Sequence, residues 1–168
     1  DYTLSDQDKQ GTLRVKERLD VKFTDNNQGI LRAIPNGYKE QKHSLQVNDV
    51  ASPSGAPAEY TTYQSGGNTV LKIGDPNRTV TGSQSYTIDY TIHNVISFYD
   101  GHDELFWDIN GEQWDQPFSK VSVTVHLPSG LKLDTHVPIC YTGNLGSNER
   151  ACTIRYDREA HALIAQTA

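Results

Sequence analysis

Apolar and polar residues alternate along most of this chain. From Thr12 to Thr24, Leu13, Val15, Leu19, Val21 and Phe23 fall on odd positions, with Arg14, Lys16, Asp20 and Lys22 between them. A period of two sustained over this length predicts a strand with one buried face. Glu17 interrupts the apolar parity, so it is expected at a strand edge, a bulge or a polar pocket. The turn residues from Asp25 to Gly29 end the strand, and Ile30 to Ile34 starts a new extended piece that Pro35-Asn36-Gly37 stops.

The same alternation continues downstream. Leu45, Val47 and Val50 mark a short strand before the Ser-, Pro- and Ala-rich loop from Ala51 to Ala58. Tyr60 and Tyr63, then Val70, Leu71 and Ile73, lie on two pieces joined by the hairpin turn Ser65-Gly66-Gly67-Asn68. The most regular alternation runs from Ser83 to Phe98, where Tyr86, Ile88, Tyr90 and Ile92 share one parity. Leu105 to Ile109, Val121 to Leu127, Val137 to Thr142 and Thr153 to Tyr156 follow, and Ala162 to Ala165 reads as strand or short helix. About nine or ten short strands at this spacing, punctuated by Gly, Pro and Asn turns, predict one all-β domain over the whole chain. The expected form is an antiparallel β-sandwich of the immunoglobulin/fibronectin kind.

Composition narrows the setting. Hydrophobic residues make up 35% of the 168, below the usual apolar share of about 45–50% and consistent with sheets solvated on one face. The net charge is −6, with scattered Lys and Arg, a surface that repels phosphate backbones and argues against nucleic acid as a partner. Mean hydropathy is −0.63, and no apolar run approaches the roughly 18 residues that a membrane-crossing helix needs. Asp1 to Gln10 is polar throughout and position 1 is not Met, which leads us to expect a fragment of a longer chain or one that has lost a leader. Cys140 and Cys152 flank a turn-rich excursion containing Gly143, Asn144, Gly146, Ser147 and Asn148. Their hairpin-sized spacing predicts a disulfide and an oxidising compartment, with two unrelated buried thiols as the alternative. Closing such a loop adds about 3 kcal/mol in the chain-entropy account.

The densest candidate chemistry is Asp100, Asp103, Glu104, Asp108 and Glu112, interleaved with Phe106, Trp107 and Trp114. Paired carboxylates beside aromatic rings are what a glycosidase uses, and the same grouping suits a sugar-binding face. The competing interpretation makes Trp107 a core residue on the face opposite Asp108, and it is the one we favour. Asp108, Asn110 and Glu112 around Gly111 echo part of a calcium loop, but the ligand at the twelfth position is missing. The six histidines form no i, i+4 pair, although His126 and His136 flank a turn at Pro128-Ser129-Gly130; zinc has little support. No nucleophile elbow and no Gly-rich phosphate loop is present. The expectation is therefore no catalytic set, no metal and no cofactor. Asn77-Arg78-Thr79 is a glycosylation acceptor only in a host that makes that linkage.

Three segments, read in order, carry a resemblance. They are Gly11 to Phe23 with Gly29-Ile30-Leu31-Arg32-Ala33-Ile34-Pro35, Ile73-Gly74 with Gly82 to Tyr90, and Glu104-Leu105-Phe106-Trp107-Asp108-Ile109-Asn110-Gly111 with Trp114. Together they resemble the amino-terminal region of predicted bacterial membrane proteins carrying the domain of unknown function numbered 2207. The resemblance implies an ectodomain on the extracytoplasmic face, preceded by a signal segment and anchored by downstream transmembrane helices, with no assigned activity. It places Glu17, Arg32, Tyr90, Trp107, Asn110 and Trp114 at motif positions. Glu17 and Arg32, on neighbouring predicted strands, are expected to form a partly buried, fold-specifying pair, with Arg32 holding the bend before Pro35. The role expected of the domain is a non-catalytic module that binds a protein, glycan or cell-wall component, with Trp114, Asp103, Glu104 and Asp108 as contact residues. Two alternatives are a carbohydrate-active enzyme using the carboxylates from Asp103 to Asp108, and a structural spacer whose strand edges pair with another chain.

Overall fold

The computed structural model describes residues 1–6, 9–111, 113–131, 133, 138–144 and 146–167. Among these every regular element is a strand: β1 (Tyr2–Ser5), β2 (Thr12–Asn27), β3 (Gly29–Pro35), β4 (Gly37–Tyr38), β5 (Gln41–Lys42), β6 (Ser44–Ala51), β7 (Tyr60–Ser65), β8 (Asn68–Gly74), β9 (Val80–His93), β10 (Ile96–Tyr99), β11 (His102–Leu105), β12 (Ser122–His126), β13 (Cys152–Asp157) and β14 (Ala162–Thr167). The all-β expectation holds. No helix among the described residues is long and apolar enough to cross a membrane.

The large sheet has the order β13-β14-β12-β1-β2-β9-β6, and a smaller one has the order β3-β8-β7. The pairs β4-β5 and β10-β11 stand as separate two-stranded hairpins. Alternation explains the centre of the large sheet. Leu13, Val15 and Leu19 of β2 lie opposite Ile92, Tyr90 and Tyr86 of β9, and all six are buried. They meet Ile30, Ile34, Leu71 and Ile73 of the smaller sheet in a single apolar cluster. One core thus lies between the two sheets.

Four expectations need correction. The large sheet is mixed rather than antiparallel, because β1 runs parallel to β12, with Tyr2 opposite Val125 and Thr3 opposite His126. That strand comes from the stretch that looked merely polar; its alternating Tyr2 and Leu4 are buried. The strand count is fourteen among the described residues, chiefly because the two small hairpins and β1 are too short to show a period. The alternation from Ser83 to Phe98 is cut at Asn94, which adopts a left-handed φ of 65°; Asn tolerates that conformation better than most residues. The chain then leaves the large sheet for the β10-β11 hairpin. Finally, Phe106 to Ile109 is irregular rather than strand, so Trp107 and Asp108 do not face opposite sides of one element. The C-terminal apolar piece is strand, paired with both β12 and β13. Val137, His136 and Glu112 lie outside the described residues.

Cys140 and Cys152 form a disulfide with Cα atoms 6.3 Å apart. It ties the start of β13, an outer strand of the large sheet, to the excursion that precedes it, whose ends also meet at the Thr142–Glu149 bridge.

Candidate functional site

Glu17 lies mid-strand in β2 on the face that looks into the core, and Arg32 reaches it from β3 in the other sheet. The Arg32 Nε donates to both Glu17 carboxylate oxygens, at 2.9 and 3.1 Å. The side chains are 1% and 9% exposed, so the pair expected between these consecutive strands is present, is buried, and spans the two sheets. Glu17 sits in a polar pocket, one of the positions its parity break allowed. Both terminal nitrogens of Arg32 are engaged as well: Nη1 donates to the Ala33 carbonyl and Nη2 to the Ile109 carbonyl at 3.3 Å. The Tyr90 hydroxyl donates to Glu17 at 3.3 Å, and the Tyr2 hydroxyl donates to the same Ile109 carbonyl at 3.0 Å. Burial opposes the Arg32 charge, but the facing Glu17 carboxylate more than compensates and raises its pKa. Burial and the same carboxylate also hold the Tyr2 and Tyr90 hydroxyls well above their ordinary range, so both stay neutral donors.

Two of these bonds converge on Ile109, and that fixes the loop after β11. Asp108 accepts from the Gly111 backbone N–H at 3.1 Å, closing a tight turn, and the Trp114 indole N–H donates to the Asn110 carbonyl at 2.7 Å. Gly111 adopts a φ of +78°, and a Cβ there would stand 2.4 Å from Arg32 Nη1 and 3.1 Å from the Ala33 carbonyl. Only glycine lets the loop lie this close against the guanidinium and the edge of β3. Trp107 is half-buried and packs against the core. The residues expected at motif positions thus do meet: Glu17, Arg32 and Tyr90 form the charged centre, while Trp107, Asn110 and Trp114 belong to the loop it pins. Tyr2, which the sequence reading overlooked, completes the centre; its only signal was the Tyr2/Leu4 alternation.

His43 leans on Trp107 with ring centroids 5.5 Å apart, and its Nδ1 is buried without a partner. Burial pushes its pKa below the ordinary value, slightly opposed by the Pro35 backbone. A base depressed in the folded state stays neutral there while the unfolded chain takes up a proton near pH 6.5. Its contribution is therefore present above about pH 6.5 and lost as pH falls through the lower folded value. The urea midpoint is expected to drop between pH 7.5 and 5.5, and His43→Gln should flatten that slope; an equal slope in the variant would exclude His43 as its source.

The β4-β5 and β10-β11 hairpins contact each other and together form one unit, termed the tip. They are joined by Gln41, whose amide donates to the Ile96 carbonyl at 2.7 Å and accepts from Ser97 at 3.1 Å. In the β10-β11 register Tyr99 faces His102 and Ser97 faces Glu104, so these four side chains share one side, while Phe98 and Asp103 share the other. On the first side the rings form a row. Phe106 stacks on Tyr38 at 4.4 Å, Tyr99 stacks on His102 at 5.2 Å, and the Lys39 ammonium bridges them, 5.0 Å from the Tyr38 ring and 5.1 Å from the Tyr99 ring. Lys39 also donates to the Tyr99 hydroxyl at 2.7 Å. Tyr99 is 40% exposed and Phe106 44%.

The expected contact residues do not converge. Asp103 and Glu104 are neighbours on β11 and project to opposite sides. Asp108 is committed to its turn through one oxygen, and Trp114 is half-buried, with its ring edge-on to Phe118 at 5.2 Å. The aromatic row of Tyr38, Tyr99 and Phe106 carries no sequence period, because its members come from separate short hairpins and a loop. No group of three or more His, Cys, Asp or Glu side chains able to hold a metal ion occurs among the described residues. Two open surface depressions are lined by Asn48, Asp49, Val50, Ala58, Glu59 and Tyr60, and by residues that include Arg18, Lys22, Ser54 and Gln84.

The sequence profile described as predicted membrane protein (DUF2207), N-terminal domain, matches residues 2–160. This chain belongs to that family. No curated protein and no solved structure is significantly similar to it. The DUF2207 match runs from β1 through β13, so the ion pair, the pinned loop, the tip and the disulfide all lie within the family domain. The family description assigns no activity.

Proposed function

We propose that this DUF2207 domain is the extracytoplasmic, non-catalytic recognition module of a membrane-anchored protein, and that it binds a glycan or cell-wall saccharide through the aromatic row at its tip. The observation that carries the reading is the Lys39-bridged line of Phe106, Tyr38, Tyr99 and His102, in which Phe106, Tyr99 and His102 are exposed and Tyr38 is half-buried. Within each stacked pair the rings cover one face of each other, and the outward faces and polar edges that remain suit the alternating apolar and hydroxylated surfaces of sugar rings. The buried ion pair supports it: by holding Ile109 it sets the loop that begins with Phe106, so the row is pre-organised rather than assembled on binding. The disulfide favours an oxidising compartment, and the family description favours a membrane-associated chain. Two sheets around one core fit a β-sandwich elaborated with additional hairpins.

The opposed directions of Asp103 and Glu104 and the engagement of Asp108 favour binding over glycoside hydrolysis, which needs two carboxyl groups about 5–9.5 Å apart on one face. Purified domain titrated with wall-glycan fragments and screened on a glycan array is expected to bind. Tyr99→Ala and Phe106→Ala should each weaken binding roughly tenfold, as loss of a ring contact worth about 1.5 kcal/mol implies, with little change in melting temperature. Failure of the unmodified domain to bind any saccharide at millimolar concentration would leave a protein ligand as the alternative for the tip.

A further inference from the structure

A sheet edge invites pairing unless something protects it, and three of the four outer strands of the two main sheets have visible protection. The β6 edge carries a bulge between Val47 and Asp49. The β13 edge carries Arg155 and Asp157, paired at 3.0 Å, and is stapled at its start by the disulfide. The β3 edge is overlaid by the loop at Gly111, close enough that a Cβ there would lie 3.1 Å from the Ala33 carbonyl. The fourth, β7, has none of these. Its sequence Tyr-Thr-Thr-Tyr-Gln-Ser contains no charge and no Pro, its ladder with β8 is unbroken from Tyr60 to Ser65, and every residue in it is exposed.

The direction of the free backbone groups follows from the register. The Gly74 N–H donates to the Glu59 carbonyl at 2.8 Å, so Glu59 is bonded toward β8. In an antiparallel ladder bonded and non-bonded positions alternate. Thr61, Tyr63 and Ser65 therefore bond inward, and Tyr60, Thr62 and Gln64 turn their N–H and C=O groups outward.

We propose that β7 is a homodimerisation edge at which a second copy of this chain adds its own β7, antiparallel, with Thr62 on the two-fold axis. In that register Thr62 exchanges both backbone bonds with the partner's Thr62, and Tyr60 does so with the partner's Gln64. Every outward group on the strand is then satisfied. Thr61 falls opposite the partner's Tyr63, an aromatic against a β-branched side chain, a favoured cross-strand pair. Shifting the axis to Tyr63 would leave Tyr60 beyond the partner strand, so the Thr62-centred register uses the edge most fully. Charge selects this edge too. Two copies that each carry −6 repel overall, and β7 is an edge that itself brings no charge to the contact. A closed two-fold contact consumes the edge in both copies and stops at the dimer. This inference does not depend on the saccharide reading, because β7 contributes no residue to the aromatic row.

Sedimentation velocity on the whole chain across about 10 μM to 1 mM tests it, a range suited to a small interface. The expected result is a concentration-dependent monomer–dimer equilibrium. Thr62→Lys, at an exposed position, should weaken it roughly a hundredfold or more by placing two like charges at the axis, with an unchanged melting curve showing that the fold survives. Under mild oxidation Thr62→Cys should link into a covalent dimer, since directly opposed strand residues have Cα atoms within disulfide range, and Tyr63→Cys, offset along the strand from its own copy, should link far less. A chain that stays monomeric throughout, or a dimer that persists in Thr62→Lys, overturns the proposal; so does equal linking of the two cysteine variants.

Discussion

Glu17→Ala is expected to destabilise the domain by about 3–5 kcal/mol, the usual consequence of leaving one member of a buried ion pair without its counter-charge. Arg32 is 1% exposed. Once Glu17 is gone its guanidinium keeps the carbonyls of Ala33 and Ile109 but no anion, and the Tyr90 hydroxyl loses its acceptor. Against a typical total of about 5–15 kcal/mol, such a loss removes a fifth or more of the stability, and nearly all of it at the lower end of that range. Urea denaturation followed by Trp fluorescence measures it directly, since Trp107 and Trp114 flank the affected loop. The double variant Glu17→Leu with Arg32→Met removes both charges at similar volume and should recover most of the loss, because buried pairs are often no better than apolar replacements. A loss below about 1 kcal/mol in the single variant would mean that water already reaches the pair and that it does not pin the loop.

A second large effect is expected at Gly29→Ala, roughly 4 kcal/mol, combining backbone strain of about 1–3 kcal/mol with an overpacking cost of similar size. Gly29 and Gly74 face each other across the β3-β8 ladder, with φ values of +135° and +136°. A Cβ on Gly29 would stand 1.9 Å from the Ile73 carbonyl oxygen, and one on Gly74 equally close to that of Gln28. Both obstacles are backbone, which cannot rotate aside, so the strands must part and the register that presents Arg32 to Glu17 is lost with them. Hydrogen exchange should show faster exchange along β3 and β8 than in β2 and β9. A loss under about 1.5 kcal/mol, with the β3 amides still protected, would show that the two strands can separate locally without cost to the sheet, contrary to expectation for a packed ladder.

These two positions show why part of the architecture was legible in advance. Gly29 and Gly74 lay within the segments that carry the family resemblance, but nothing in a linear sequence says that they oppose each other. Glu17 was visible as a break in an apolar face, and the polar pocket was among its allowed readings. Its partnership with Arg32 on the next predicted strand was expected and forms; that the two strands belong to different sheets was not legible. Trp107 was expected as core and is half-buried against it, yet on a loop instead of a strand. Asp103, Glu104 and Asp108 formed the densest acidic stretch, but proximity in sequence did not become convergence, since adjacent strand residues point opposite ways and Asp108 turned to cap its own loop.

Local period and local turn chemistry were enough to read the all-β class, the long strands β2 and β9 with their buried faces and the hairpin at Gly66-Gly67, and they favoured pairing of the two cysteines at hairpin spacing. The sequence also carried the family. Tertiary structure alone decided the non-local pairings, where strands distant in the chain choose partners by burial and register: β1 running parallel to β12, the Glu17–Arg32 pair between layers, the aromatic row built from separate hairpins, and β7 left as the unguarded edge. A period of two states which side of a strand is apolar. Which other strand covers that side, or fails to, is settled only when the whole chain competes for one core.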